Sequence, residues 1–316
     1  MSTTQLETVS STFFQDVKDG LSKPQKELPS KYFYDERGSE LFEKICTLDE
    51  YYLTRAELDL METHIEEICS SIGENTLLAE LGSGSSKKTR LLLEHLDEIE
   101  AYIPVDISAD FLNSTAESLR EEFPDLTVHP VAADYTRPFP LPFRDRAERT
   151  VLYFPGSTIG NFTQDRAKRF LGRMAGLLEP GDGFLIGADR VKDINLLEAA
   201  YNDKDGVTAQ FNLNLLRRIN LKLGADFDLN QFKHHAFFNE EKSRIEMHLE
   251  SLADQSVSIA GSTYHFSTGE TIHTENSHKY SREHFENLVA GLFTIEKEWR
   301  DRYELFSLFY LRPLKD

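Results

Sequence analysis

The run Leu77–Arg90 (LLAELGSGSSKKTR) limits this chain more than any other stretch. It opens apolar, passes an acid at Glu80, and breaks at Gly82 and Gly84. It then resumes as Thr89-Arg90-Leu91-Leu92-Leu93, a helical pattern. A strand, a glycine turn and a helix in that order point backbone N–H groups at a ligand. The glycines let the chain turn sharply and let the ligand approach the backbone closely. A P-loop needs Gly, four residues, then Gly-Lys-Ser/Thr. Counted from Gly82, its second glycine falls where this chain has Lys87. A nucleoside cofactor without a phosphate tail fits better, because Glu80 repels phosphate and can face a cation. S-adenosylmethionine carries a sulfonium and an α-amino group, and both suit an acidic loop.

From residue 76 onward strands and helices alternate, the pattern of a parallel sheet. Strands are expected at Leu77–Leu81, Ala101–Val105, Thr127–Ala132, Thr150–Phe154 and Gly183–Ala188. Asp106 closes the second, where a doubly wound fold grips ribose hydroxyls. An N-cap for a helix over Ala109–Glu121 is the plainer alternative, although Ser108 serves that purpose equally. Asp134 and Tyr135 end the third strand, placing a carboxylate for an adenine amino group and a ring for stacking. The fourth runs into Pro155–Phe162, a loop after a strand carboxyl end, where ligands sit in such sheets. Two late β-rich segments, Phe293–Arg300 and Phe306–Leu311, complete the pattern. The expected fold is therefore α/β, a Rossmann-like doubly wound sheet of the S-adenosylmethionine methyltransferase kind. In that sheet the last strand lies antiparallel between its neighbours.

The residues between the fifth strand and the late pair are too many for a loop and predict a second, α+β substrate-binding subdomain. A helix is expected over Leu196–Leu223 and β structure over Phe237–Ser277. Ile245, Met247 and Leu249 alternate with Glu246, His248 and Glu250, as in a half-buried strand. Thr271, His273, Glu275 and Ser277 share one face of another. Upstream, Pro29–Gly38 is an aromatic-rich loop, and Glu50–Arg55 precedes a helix expected from Ala56 to Ser70. The domain division expected is 60–195 plus 281–316 for the cofactor and 15–59 plus 196–280 for the substrate. Seven of the ten histidines lie between His234 and His284, yet no HExxH or tight ligand spacing accompanies them, so no metal is expected.

A net charge of −19 argues against nucleic acid and gives no attraction to an anionic membrane. No apolar run approaches the roughly 18 residues of a membrane span. Cys46 and Cys69, with no CxxC and a polar first twenty residues, suggest buried thiols in a reducing, cytoplasmic protein. A monomer is expected.

Several segments together resemble the histidine-specific Nα-methyltransferases of ergothioneine biosynthesis. They are Tyr32–Phe42, Glu50–Arg55, Glu80–Arg90, Gly156–Asn161, Ala200–Asn212 and Ile272–Tyr280, and the similarity runs from about Leu28 to the C-terminus. Gly206-Val-Thr-Ala-Gln-Phe-Asn212 is far more specific than any glycine loop. The resemblance implies trimethylation of the α-amino group of free histidine by S-adenosylmethionine, with mono- and dimethyl histidine as intermediates. It implies cofactor contacts at Gly82, Lys88, Asp106, Asp134 and Tyr135. It implies a histidine site at Tyr51, Asn161, Tyr201, Glu275, Asn276 and Ser277, with Tyr34, Gly156 and Met247 close by. On it, Asn161 and Tyr201 donate to the substrate carboxylate, Glu275 and Ser277 hold the imidazole, and Tyr34 and Tyr51 line the amine as the catalytic pair. Leu53 and Pro155 depart from the pattern, where proline and an apolar residue are commoner. Relatives that methylate tryptophan derivatives share the fold, and a non-catalytic amino-acid-binding module is the other alternative. Glu275 favours histidine.

Overall fold

The structure, a computed structural model, describes residues 3–83 and 87–315, with the side chains of 3–11, 110 and 111 also outside its scope. Gly84, expected to share the turn with Gly82, lies outside the described residues. The chain divides into two compact units, Leu53–Val191 with His278–Asp316, and Met1–Tyr52 with Lys192–Ser277.

The first of these units is built on a seven-stranded sheet. Its strands in chain order are Thr76–Leu81 (β1), Ala101–Asp106 (β2), Val131–Ala132 (β3), Arg149–Phe154 (β4), Gly183–Asp189 (β5), Phe293–Arg300 (β6) and Phe306–Pro313 (β7). Across the sheet they run β6-β7-β5-β4-β1-β2-β3. The first five are parallel, and β7 is antiparallel to both β5 and β6. Leu77, Leu78, Ala79 and Leu81 are all fully buried, as expected of a strand covered on both faces. Because β1 pairs with both β2 and β4, the strand order reverses there, and ligands of such sheets bind outside the carboxyl ends at that reversal.

The third strand is shorter than its sequence suggests. Pro130 offers no N–H to a ladder, so only Val131 and Ala132 pair with β2, beside a single bridge between Tyr102 and Val128. The helix Tyr52–Ile72 also begins four residues earlier than expected, taking in Tyr52–Arg55.

The second unit carries a four-stranded sheet in the order Lys26–Glu27, Thr271–His278, Arg244–Ser251, Phe232–Asn239, and a two-stranded ribbon of Gln255–Ile259 and Ser262–Phe266. The single helix expected over Leu196–Leu223 is two, Ile194–Ala199 and Val207–Leu223. Gly206, at φ +67°, breaks the run, and the Asp203 carboxylate accepts the Val207 and Thr208 N–H groups, both at 2.8 Å, starting a new helix. Arg244–Ser251 is not half-buried. Glu246 and His248, on its polar side, are each only 6% exposed, because Arg244, Asn239 and His248 answer the Glu246 carboxylate.

Both cysteines are half-buried and free, and burial pushes the Cys69 thiol up to about 12. Among the described residues no helix is long and apolar enough to cross a membrane.

Candidate active site

At the carboxyl end of β1 the chain turns at Gly82, whose φ is +79° and whose N–H donates to the Val105 carbonyl at 2.8 Å. A Cβ there would stand 3.6 Å from the Tyr135 ring, an ordinary contact, so it is the positive φ rather than crowding that suits glycine. Asp106 ends β2 and its Oδ1 accepts the Ser108 N–H at 2.9 Å. Burial raises its pKa. Asp134, just past β3, accepts the Thr136 N–H at 2.9 Å. Asp106 and Asp134 both act electrostatically on Tyr135, whose ring packs edge-on against Phe154 at 5.6 Å. Four expected cofactor residues thus gather at the carboxyl ends of three adjacent strands.

Glu80 departs from its expected place. It is 2% exposed and accepts from the hydroxyls of Thr89 and Tyr102, so it does not face a ligand across an acidic loop. Burial pushes its carboxyl up to about 7.

The loop after β4 is tied down from behind. Gly156, at φ +73°, donates its N–H to both oxygens of Glu57, at 3.1 and 3.0 Å. The Lys88 ammonium reaches the same carboxylate at 2.6 Å. Gly156, expected beside the substrate, therefore has its N–H committed within the chain. Asn161 closes the short 3-10 helix Thr158–Asn161 and is half-buried. Gly160 lies so close to His278 that a Cβ would meet its carbonyl at 2.9 Å.

In the other unit, Tyr201 donates to the Ser277 Oγ at 2.7 Å, and its ring lies 6.2 Å edge-on from Tyr51. Tyr51 is 8% exposed, and burial, then the neighbouring Tyr201, hold its hydroxyl pKa well above 10. Cys46, Tyr34 and Glu275 add smaller contributions of the same sign. Tyr34 is 37% exposed, edge-on to Phe42 and Phe211. Glu275, Asn276 and Ser277 follow one another on the Thr271–His278 strand, and the buried Oδ1 of Asn276 has no hydrogen-bond partner. Met247 is 1% exposed, and its carbonyl accepts from Thr274 at 3.0 Å.

Residues that hold the Tyr201 segment of this unit were missed from sequence. Asn212 accepts from the Thr274 hydroxyl at 2.8 Å and donates to His234 Nδ1 at 2.9 Å. The opposite His234 nitrogen then donates to the Tyr201 carbonyl at 2.8 Å, fixing the backbone that carries the Tyr201 ring. Burial lowers the His234 pKa, in keeping with that neutral tautomer. Glu57 was missed as well, although it sits with Leu53, Ala56, Leu60 and Met61 on the buried stripe of its helix. A carboxylate at an apolar-stripe position is the signal that marks it.

Glu246, His248 and His273 also come together, with ligand atoms all within 4.8 Å of one another. Arg244, Thr271 and the Glu275 carbonyl each bond one atom of these side chains, and Glu246 Oε2 lies 3.2 Å from His248 Nε2.

Over residues 13–313 the chain matches the family described as "Histidine-specific methyltransferase, SAM-dependent". It is 41% identical over 301 residues to a histidine N-alpha-methyltransferase of Mycobacterium tuberculosis, covering 93% of this chain and 92% of that protein. Identity to ergothioneine biosynthesis protein 1 of Neurospora crassa is 33% over 294 residues, which is 89% of this chain and 32% of the fungal protein. Among solved structures, OxaC in complex with SAH and oxaline gives a TM-score of 0.51 at 13% identity. That match covers 96% of this chain and 64% of the other, a likeness of fold alone.

Proposed function

The chain belongs to the histidine-specific, S-adenosylmethionine-dependent methyltransferases, and from that premise we propose that it trimethylates the α-amino nitrogen of L-histidine, giving hercynine for ergothioneine biosynthesis. The gathering of Tyr51, Tyr201, Glu275 and Ser277 carries this reading. It combines a carboxylate and a hydroxyl two residues apart on one strand face, fit for the two nitrogens of an imidazole, with two buried tyrosines. Asn276, between Glu275 and Ser277, alternates to the other face of the strand, so its orphaned Oδ1 stands apart from this grip.

S-adenosylmethionine, when bound, supplies an electrophilic methyl group on a sulfonium. The residues present fit it: Asp106 and Asp134 are acceptors for ribose hydroxyls and an exocyclic amine, Tyr135 offers a ring, and Lys88 an ammonium for the carboxylate end. The protein's own work is orientation rather than proton transfer. Tyr51, with its pKa well above 10, keeps its proton at neutral pH and serves as a hydrogen-bonding guide for the amine. Tyr201 has its proton on Ser277 and holds that hydroxyl in place. Asn161 is proposed as a donor to the amino-acid carboxylate.

The direct test is mass spectrometry of an amino-acid mixture incubated with protein and S-adenosylmethionine. Histidine alone is expected to gain three methyl groups. All three are expected on the α-nitrogen, because Glu275 and Ser277 engage both ring nitrogens. A fragment ion with a methyl on the ring would refute that orientation.

Asp106→Ala is expected to weaken S-adenosylmethionine binding by about 1.5–3 kcal/mol, the scale of a hydrogen bond to a charged group. Calorimetry checks this. If affinity holds while Tm falls, Asp106 serves only the turn at Ser108.

A further inference from the structure

Glu57 is a carboxylate buried to 1% side-chain exposure that takes an ammonium and a main-chain N–H at once. Its two partners come from the two sides of the sheet's reversal. Lys88 stands in the first turn of the helix Lys87–His95 that follows β1, and Gly156 is the second residue of the loop after β4. The Lys88 side chain is 20% exposed against 1% for Glu57, so the ammonium is held from its buried side. Glu57 also lies against Gly187 of β5, where a Cβ would meet its Oε1 at 2.7 Å, so it has little room to move.

We propose that Glu57 is a positioning residue for the cofactor: by fixing the Lys88 ammonium and the Gly156 backbone together, it sets the affinity for the carboxylate of the cofactor's amino-acid end. This rests on Lys88 receiving that carboxylate, as in the function proposed above. A lysine on its flexible four-carbon stem loses considerable rotamer freedom on binding an anion. A lysine already clamped from behind has lost most of it beforehand, which favours binding. Removing Glu57 also removes a negative charge near the anion, which by itself would tighten binding. The two effects have opposite signs, so measurement separates them.

The test uses calorimetry with two probes, S-adenosylhomocysteine, which has the carboxylate, and 5′-methylthioadenosine, which lacks the amino-acid end. Glu57→Ala is expected to raise the S-adenosylhomocysteine Kd about tenfold or more, and to leave the methylthioadenosine Kd within about threefold, below a 1 kcal/mol change. Glu57→Gln keeps one acceptor oxygen, able to serve both Lys88 and Gly156 as Oε2 does in the parent, but lacks the charge that holds the ammonium, and is expected to fall between parent and Glu57→Ala. Lys88→Ala is expected to match Glu57→Ala, and the double variant to be no weaker than Lys88→Ala. In turnover, KM for S-adenosylmethionine is expected to rise with little change in kcat, a split that mere loss of folded protein would not give. If Lys88→Ala leaves both affinities unchanged, Lys88 does not receive the carboxylate and the premise falls. If Lys88→Ala binds weakly while Glu57→Ala binds as tightly as parent or tighter, Glu57 does not position Lys88. Equal loss for both probes, or additive losses in the double variant, overturns the proposal too.

Discussion

Lys279→Met is expected to lower the unfolding free energy by about 3–5 kcal/mol, the usual cost of leaving one member of a buried ion pair without the other. The Lys279 ammonium lies 2.7 Å from Asp189 Oδ2, and both side chains are 0% exposed. Methionine nearly matches the lysine stem in volume, so the loss reports the stranded Asp189 carboxylate rather than a cavity. Asp189 also anchors three segments by its backbone and its other oxygen. Its N–H donates to the Ser157 hydroxyl at 2.8 Å, its carbonyl accepts the Tyr280 N–H at 2.8 Å, and Oδ1 accepts the Arg190 N–H at 3.0 Å. The end of β5, the loop after β4 and the segment from His278 to Tyr280 are thus joined at one residue. A urea midpoint lowered with the slope unchanged is the expected observation. Adding Asp189→Asn to Lys279→Met is expected to recover part of the loss, since a neutral amide strands no charge. A single-variant loss under about 1 kcal/mol would mean that the pair is replaceable without penalty.

The five parallel strands followed from alternation of apolar runs with helical ones, a periodicity that a sequence displays directly. The antiparallel place of β7 came instead from the methyltransferase arrangement that a late β-rich pair suggests, and the order of strands across the sheet was not read at all. What stayed hidden depends on partners distant in the chain. Glu57 shows in sequence only as an acid on an apolar stripe, and nothing local names its partners, because Lys88 and Gly156 lie 31 and 99 residues away. The alternation at Glu246 and His248 predicts a wet face, yet Arg244 and Asn239 dry it by satisfying the carboxylate. Glu80 has the residue type of a ligand-facing acid, but Thr89 and Tyr102 turn it inward. The break before Val207 was written in Asp203 and Gly206, a capping acid and a residue suited to positive φ. At the candidate site, Tyr51, Tyr201, Glu275 and Ser277 stood out only as members of family-like segments. Nothing in their spacing shows that Tyr201 and Ser277, 76 residues apart, share a hydrogen bond.

Glu275→Ala should reduce kcat/KM for histidine by about 1.5–3 kcal/mol, or roughly 10- to 100-fold. Glu275 is half-buried on the same strand face as Ser277, and its charge acts on Tyr51. A carboxylate so placed gives an imidazole N–H an acceptor that a side chain lacking that N–H does not use. Discrimination of this kind comes from the penalty on the wrong substrate as much as from the bond to the right one. Alanine removes both. Met247, 1% exposed on the neighbouring strand, limits volume rather than polarity. Met247→Val shortens a side chain whose space the surroundings do not refill completely, since cores relax only in part around deleted atoms. Together the two substitutions leave a larger, uncharged pocket, and an apolar bicyclic ring gains where an imidazole loses. The ratio of histidine to tryptophan turnover is therefore expected to fall further in the double variant than in Glu275→Ala alone. Measuring kcat/KM for both amino acids in parent, single and double variants decides the matter. A double variant that keeps the parent's ratio would show that Glu275 does not read the imidazole.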